Sequence, residues 1–106
     1  MLISFKERAE KNGRMKHTTL ALYIIYRNGG WIKHSIILKK SGLTVPQIAK
    51  ALYKLREEYR LIKSSIDSSG EKIYSIRESN YDYIKDYLIR NNMIDKEEMP
   101  KYVVQH

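Results

Sequence analysis

The sequence predicts an α+β domain that is mostly helical, and three observations predict it. Residues 33–77 change period in order: a short helical run, a Gly42-Leu43 break, a longer helical run, then two alternating runs about Gly70. Residues 18–28 (TTLALYIIYRN) are apolar nearly all round, as in a helix buried on most of its surface. Charge is placed unevenly: residues 1–63 carry fourteen Lys or Arg against four Asp or Glu, and residues 64–106 carry six against eight. The 106-residue length fits one domain with a single modest core.

Each element follows from local chemistry. Ser4 and Glu7 have capping-box spacing ahead of Gly13, so residues 1–17 are a basic N-terminal arm or contain a short helix over 4–12. Gly29-Gly30 stops the apolar helix, and Trp31-Ile32-Lys33 is short and extended, a third strand beside the later hairpin. Residues 34–41 form a helix with Ile37 and Leu38 inward and Lys39 and Lys40 outward, and Leu43 plugs the angle of the turn. The next helix, 45–59, starts at the Thr44 N-cap with Gln47 closing a capping box and Pro46 in the first turn. At about 100° per residue, Ile48, Ala51, Leu52, Leu55 and Tyr59 share one face. Pro46, Lys50, Tyr53 and Glu57 lie opposite, flanked by Gln47, Ala49 and Lys54. Residues 61–67 and 72–77 alternate apolar and polar around Asp67-Ser68-Ser69-Gly70-Glu71, a hairpin. Ser79 and Asp82 then cap a helix to residue 92, with Tyr81, Ile84 and Leu88 on one stripe and Tyr83 and Tyr87 beside it. The domain thus spans 18–92, and a polar tail follows over 93–106. Helix, turn, longer helix and two-stranded ribbon in that order make a helix-turn-helix with a β-wing: a two- to three-stranded sheet between flanking N- and C-terminal helices.

Composition narrows the function. The net charge of +8 and pI near 9.7 suit a polyanion partner, or surface lysines that serve solubility. No run of apolar residues is long enough for a membrane span and the N-terminus lacks a signal-peptide pattern, so a cytoplasmic location is expected. Without cysteine there are no disulfides or thiolate sites, and His17, His34 and His106 have no metal-ligand spacing. No metal or cofactor is expected. A phosphate loop, a nucleophile elbow and paired catalytic carboxylates are all missing, because Glu57-Glu58 and Glu97-Glu98 are adjacent and diverge on a helix; the chain reads as a non-enzyme.

The block Leu43-Thr44, Ile48, Leu52, Leu55, Leu61-Ile62, followed by the wing and Tyr74-x-Ile76, resembles the winged helix-turn-helix domains of small prokaryotic repressors. The MarR and ArsR families, with their archaeal, plasmid and viral relatives, are the comparison, over residues 18–90. The resemblance implies a cytoplasmic transcription regulator whose second motif helix enters the DNA major groove. Here that assigns Thr44, Val45, Pro46, Gln47, Ala49, Lys50, Tyr53 and Lys54 to the groove, and Ser68, Ser69, Gly70 and Lys72 of the wing tip to a backbone or minor groove. The chain departs from the pattern in two ways: Arg60 stands where the families have Gly, and Asp67 and Glu71 put acids at the wing tip, which makes the wing a secondary contact. The resemblance also implies a homodimer through the first and last helices, here Leu20, Tyr23, Ile24, Tyr81, Ile84, Tyr87 and Leu88.

Side-chain chemistry fits that assignment. A helix N-terminus offers free N–H groups and positive potential to a phosphate. Gln47 either pairs bidentately with adenine or serves only as the capping partner, while Lys50 and Lys54 reach guanine edges or phosphates or stay solvated. Tyr53 packs on a sugar or on its own domain. Lys33, His34, Lys39 and Lys40 are placed to grip the flanking backbone. The expected function is a sequence-specific, double-stranded DNA-binding regulator, with two alternatives: a winged-helix protein-interaction module in a transcription, replication or partition assembly, or a non-specific architectural DNA-binding protein.

Overall fold

An 11-residue helix, α1 (His17–Arg27), forms the centre of the fold, and it buries Thr18, Thr19, Ala21, Leu22, Ile24, Ile25 and Tyr26. The structure, a computed structural model, describes residues 17–94. The arm or helix expected over residues 4–12, and the tail beyond residue 94, lie outside the described residues. Among those described, no helix is long and apolar enough to cross a membrane.

α1 ends as its sequence dictates. Gly29 has φ 94°, the amide of Gly30 donates to the Ile25 carbonyl at 2.9 Å, and that of Gly29 donates to Tyr26 at 3.2 Å. This pair of bonds needs a left-handed residue just past the helix, which glycine adopts without a Cβ penalty. Strand β1 (Trp31–Lys33) follows, then α2 (His34–Ser41). Gly42, at φ 68°, makes the reversal into α3 (Val45–Tyr53). A Cβ there would meet open space, so the backbone conformation alone calls for glycine.

The hairpin forms as expected, from β2 (Ile62–Ile66) and β3 (Lys72–Ile76). β1 pairs antiparallel with the other edge of β3, giving the order β1-β3-β2 with Trp31 opposite Ser75 and Ser64 opposite Tyr74. A short 3₁₀ turn (Glu78–Asn80) leads into α4 (Tyr81–Arg90). α4 docks on α1: the Thr19 hydroxyl and Tyr87 phenol lie 3.0 Å apart in the interior, and Tyr26 and Tyr81 stack with ring centroids 5.7 Å apart. Burial pushes the Tyr26 phenol well above its usual pKa, helped by the Tyr81 hydroxyl, so it stays neutral. These elements make a winged helix-turn-helix, mostly helical, as the sequence predicts.

Three local expectations need correction. The helix expected over 45–59 is α-helical only through Tyr53; residues Lys54–Glu58 form a π-helical turn, in which the Tyr59 amide reaches back five residues to the Lys54 carbonyl at 2.9 Å. The buried stripe survives that change, since Ile48, Ala51, Leu52, Leu55 and Tyr59 are all buried. Arg60 then takes φ 54°, and the Leu61 amide closes on the Leu55 carbonyl at 2.9 Å. The chain therefore makes at Arg60 the left-handed turn that glycine would make freely. Lastly, neither Ser79 nor Asp82 is the N-cap of α4. Asn80 holds that position without a side-chain cap bond, and its Nδ2 donates to the Arg60 carbonyl at 2.9 Å. α4 stops at Arg90, two residues early, since Asn92 adopts φ 60° and Met93 donates to the Leu88 carbonyl at 2.9 Å.

A left-handed arginine costs roughly 1 kcal/mol relative to glycine. Arg60→Gly should therefore raise unfolding stability by about 1 kcal/mol in urea titration; unchanged or lowered stability would contradict the strain assigned to this turn.

Candidate nucleic-acid interface

Burying Ile48, Ala51 and Leu52 of α3, with Leu55 of the π turn, directs the other face of α3 outward. Pro46, Gln47, Ala49 and Lys50 are exposed, Val45 and Tyr53 are 58% and 54% exposed, and Lys54 is half-buried. Large apolar groups held in water on a helix face are suited to contact with base methyls or sugars. No acid lies on this face between Thr44 and Tyr53.

The capping box forms in full. Thr44 Oγ1 accepts the Gln47 amide at 3.3 Å, and Gln47 Oε1 accepts the Thr44 amide at 3.0 Å. This changes two expectations. One lone pair of Gln47 Oε1 is spent on the Thr44 amide, which draws the side chain back over the N-cap and leaves Nε2 as its free donor. The helix N-terminus also offers fewer donors than a bare one: Gln47 is bonded, Pro46 has no N–H, and Val45 supplies the remaining amide of the first turn.

A groove of about 560 Å³ separates α3 from the wing, lined by His34, Ala49, Leu52, Tyr53, Arg56, Glu71, Lys72 and Tyr74. Its polar floor is His34, whose Nδ1 lies 3.0 Å from the Tyr74 hydroxyl, so His34 is half-buried against the sheet rather than reaching out. Burial raises the Tyr74 phenol above its usual pKa. Arg56 stands over the Tyr53 ring at 6.0 Å from its centroid. Arg56 is not among the expected site residues. Its position three residues after Tyr53, on the same side of the helix, was a signal available in the sequence.

The wing acids face inward. Asp67 Oδ1 accepts the Ser69 amide at 2.9 Å, the Ser69 hydroxyl at 2.7 Å and the Glu71 amide at 3.0 Å. Glu71 Oε2 accepts the Ser35 amide at 2.8 Å and so satisfies a donor in the first turn of α2. Bonding from the Ser69 hydroxyl, then the loop amides, with Lys33 nearby, lowers the Asp67 pKa. Bonds from Ser35, side chain first, lower that of Glu71. Each acid therefore has an internal partner, and Ser68, Ser69, Gly70 and Lys72 remain exposed at the tip.

The flanking cations divide. Lys33 Nζ is 3.8 Å from Asp67 Oδ2, and Lys40 Nζ donates to Asn28 Oδ1 at 3.2 Å, so both are partly committed within the chain. Lys39 is exposed on the outer face of α2. The residues expected at an interface between copies divide as well. Ile24, Ile84, Tyr87 and Leu88 are buried in the chain's own core, which leaves Leu20, Tyr23 and Tyr81 partly exposed at its margin.

No protein-family model matches the chain, and no curated protein matches it in sequence. Among solved structures it is similar to MepR, described as a transcription regulator of the Staphylococcus aureus multidrug efflux pump MepA. The TM-score is 0.62 at 20% identity, over 83% of this chain. This chain spans 66% of the MepR chain, just under two thirds of its length. The likeness is one of fold, and it confirms the winged-helix architecture.

Carboxyls with lowered folded-state pKa values stabilise the wing above their unfolded values, and that contribution is lost as pH falls through the lowered ones. Carbon-detected NMR titration should give Asp67 and Glu71 midpoints below the ordinary 3.8 and 4.5, with the wing amides shifting in step. Midpoints at or above those values would show that the acids are not held as described.

Proposed function

We propose that the chain is a double-stranded DNA-binding transcription regulator that lays α3 in the major groove and its wing tip along the flanking backbone. The observation that carries this reading is the outward face of α3: Val45, Ala49, Lys50 and Tyr53 are exposed together on a helix whose opposite face is locked into the core, with no acid among them. The fold likeness to MepR, itself a transcription regulator, supports it. In this arrangement Lys50 and Lys54 contact base edges or phosphates, and Tyr53 with Arg56 packs against a sugar. Lys39, Lys72 and Ser69 take phosphates on either side. The chain acts as a homodimer through the margin of α1 and α4, where Leu20, Tyr23 and Tyr81 are partly exposed, and reads half-sites about 34 Å apart.

One observation favours a second reading. With Gln47 held in the capping box, lysines supply most of the polar contacts of α3, and lysines neutralise phosphates in any sequence. That arrangement suits a non-specific, architectural role. Duplexes selected from a random pool separate the two readings: an enriched palindrome supports the regulator, and a pool without enrichment supports the architectural protein.

The Lys50→Ala, Lys54→Ala double variant should bind duplex DNA at least roughly tenfold more weakly, and its log–log salt slope should be shallower by about 2. Fluorescence anisotropy across a salt series measures both. If the wild-type chain binds no duplex at low salt, the DNA reading fails; if the double variant binds as well as wild type, α3 is not the contacting element.

A further inference from the structure

Beyond the groove beside α3 lies a second cleft, of about 350 Å³, lined by Arg56, Glu57, Arg60, Lys63, Ser64 and Arg77. Its residues come from the π-helical turn, the left-handed turn after it, edge strand β2 and the residue that follows β3. Four cations meet one carboxylate there, and that carboxylate is already engaged, with Glu57 Oε2 2.8 Å from Arg56 Nε. Among the described residues no acid pairs with Arg60, Lys63 or Arg77. Gathering cations around one cleft raises their mutual repulsion, which an anion in the cleft relieves.

Two backbone features independently mark the place. Arg60 holds φ 54°, where an arginine is strained and a glycine is not, and the Asn80 side chain clamps its carbonyl at 2.9 Å. Strain kept at a charged residue is the pattern of a site whose function needs that charge. The π turn immediately before it widens the helix end that carries Arg56 and Glu57, and such turns recur at functional positions.

We propose that this cleft is a second anion site, separate from the outward face of α3, that takes a phosphate group. Arg60, Lys63 and Arg77 supply the unpaired donors, and Arg56, which also lines the groove beside α3, joins the two. Arginine suits the task because its planar fork meets phosphate oxygens two at a time. The phosphate is either part of a DNA backbone beyond the α3 contact or carried by a free phosphorylated molecule; the shared chemistry is a phosphate oxyanion. The proposal stands whether or not α3 reads DNA.

Inorganic pyrophosphate, titrated calorimetrically at low salt, is the test. Wild type and the Lys50→Ala, Lys54→Ala variant should bind it alike. Arg60→Gly and Lys63→Gln/Arg77→Gln should each weaken it about tenfold or more, while Arg60→Gly melts at or above the wild-type temperature. That separation of binding from stability is what a purely structural arginine would not produce. Wild-type protein that binds no pyrophosphate, cleft variants that bind it unchanged, or loss of binding only on removing Lys50 and Lys54 would each overturn the proposal. Repeating the titration with saturating duplex identifies the source: displacement of pyrophosphate assigns the cleft to DNA backbone, and simultaneous binding assigns it to a free phosphorylated ligand.

Discussion

A helix that buries Ile48, Ala51 and Leu52, and runs into a π turn that buries Leu55 and Tyr59, has no freedom about its own axis. Each of these side chains is 4% exposed or less, and they meet α1, itself apolar nearly all round. Rotating α3 by even one residue, about 100°, would drive Lys50 or Tyr53 into that core. Burying an unpaired ammonium costs several kcal/mol, far more than any surface contact returns. The core thereby sets which side chains the outer face presents, and the rest of the site is arranged around that face.

The electrostatics of the wing follow the same logic of commitment. On sequence alone two acids at the tip argue against a polyanion. In the fold Asp67 is occupied by the turn it organises and by Lys33, and Glu71 by the start of α2. Their charge offsets cations already nearby, and Lys72 and the serines stay exposed at the edge. The bond from Ser35 to Glu71 also ties wing to helix-turn-helix, so the two walls of the groove are held in one relation.

What was legible in the sequence was what local chemistry dictates. The Thr44–Gln47 box, Gly42 and the Gly29-Gly30 stop announce the turns, period 3.6 marks α3, and alternation marks the hairpin. Interactions between distant positions were not legible. Asn80 looks like part of a capping region, yet its side chain serves Arg60 twenty residues earlier. Ile24, Ile84, Tyr87 and Leu88 show an apolar stripe, but periodicity does not say whether the surface that covers it belongs to the same chain. Arg56, Lys63 and Arg77 are scattered in sequence and meet only when β2 and β3 fold back on the end of α3. Arg60 is the intermediate case. Its departure from the glycine of similar domains was visible, and the fold shows that the backbone kept the glycine conformation.

Amide mapping by NMR with a short duplex added reads directly whether the outward face of α3 meets DNA. The largest shifts are expected at Val45, Ala49, Lys50 and Tyr53, with smaller ones at Ser69 and Lys72, and none at Asp82 and Asp86 on the exposed side of α4. Shifts centred on α4 or β1 with α3 silent would contradict that contact.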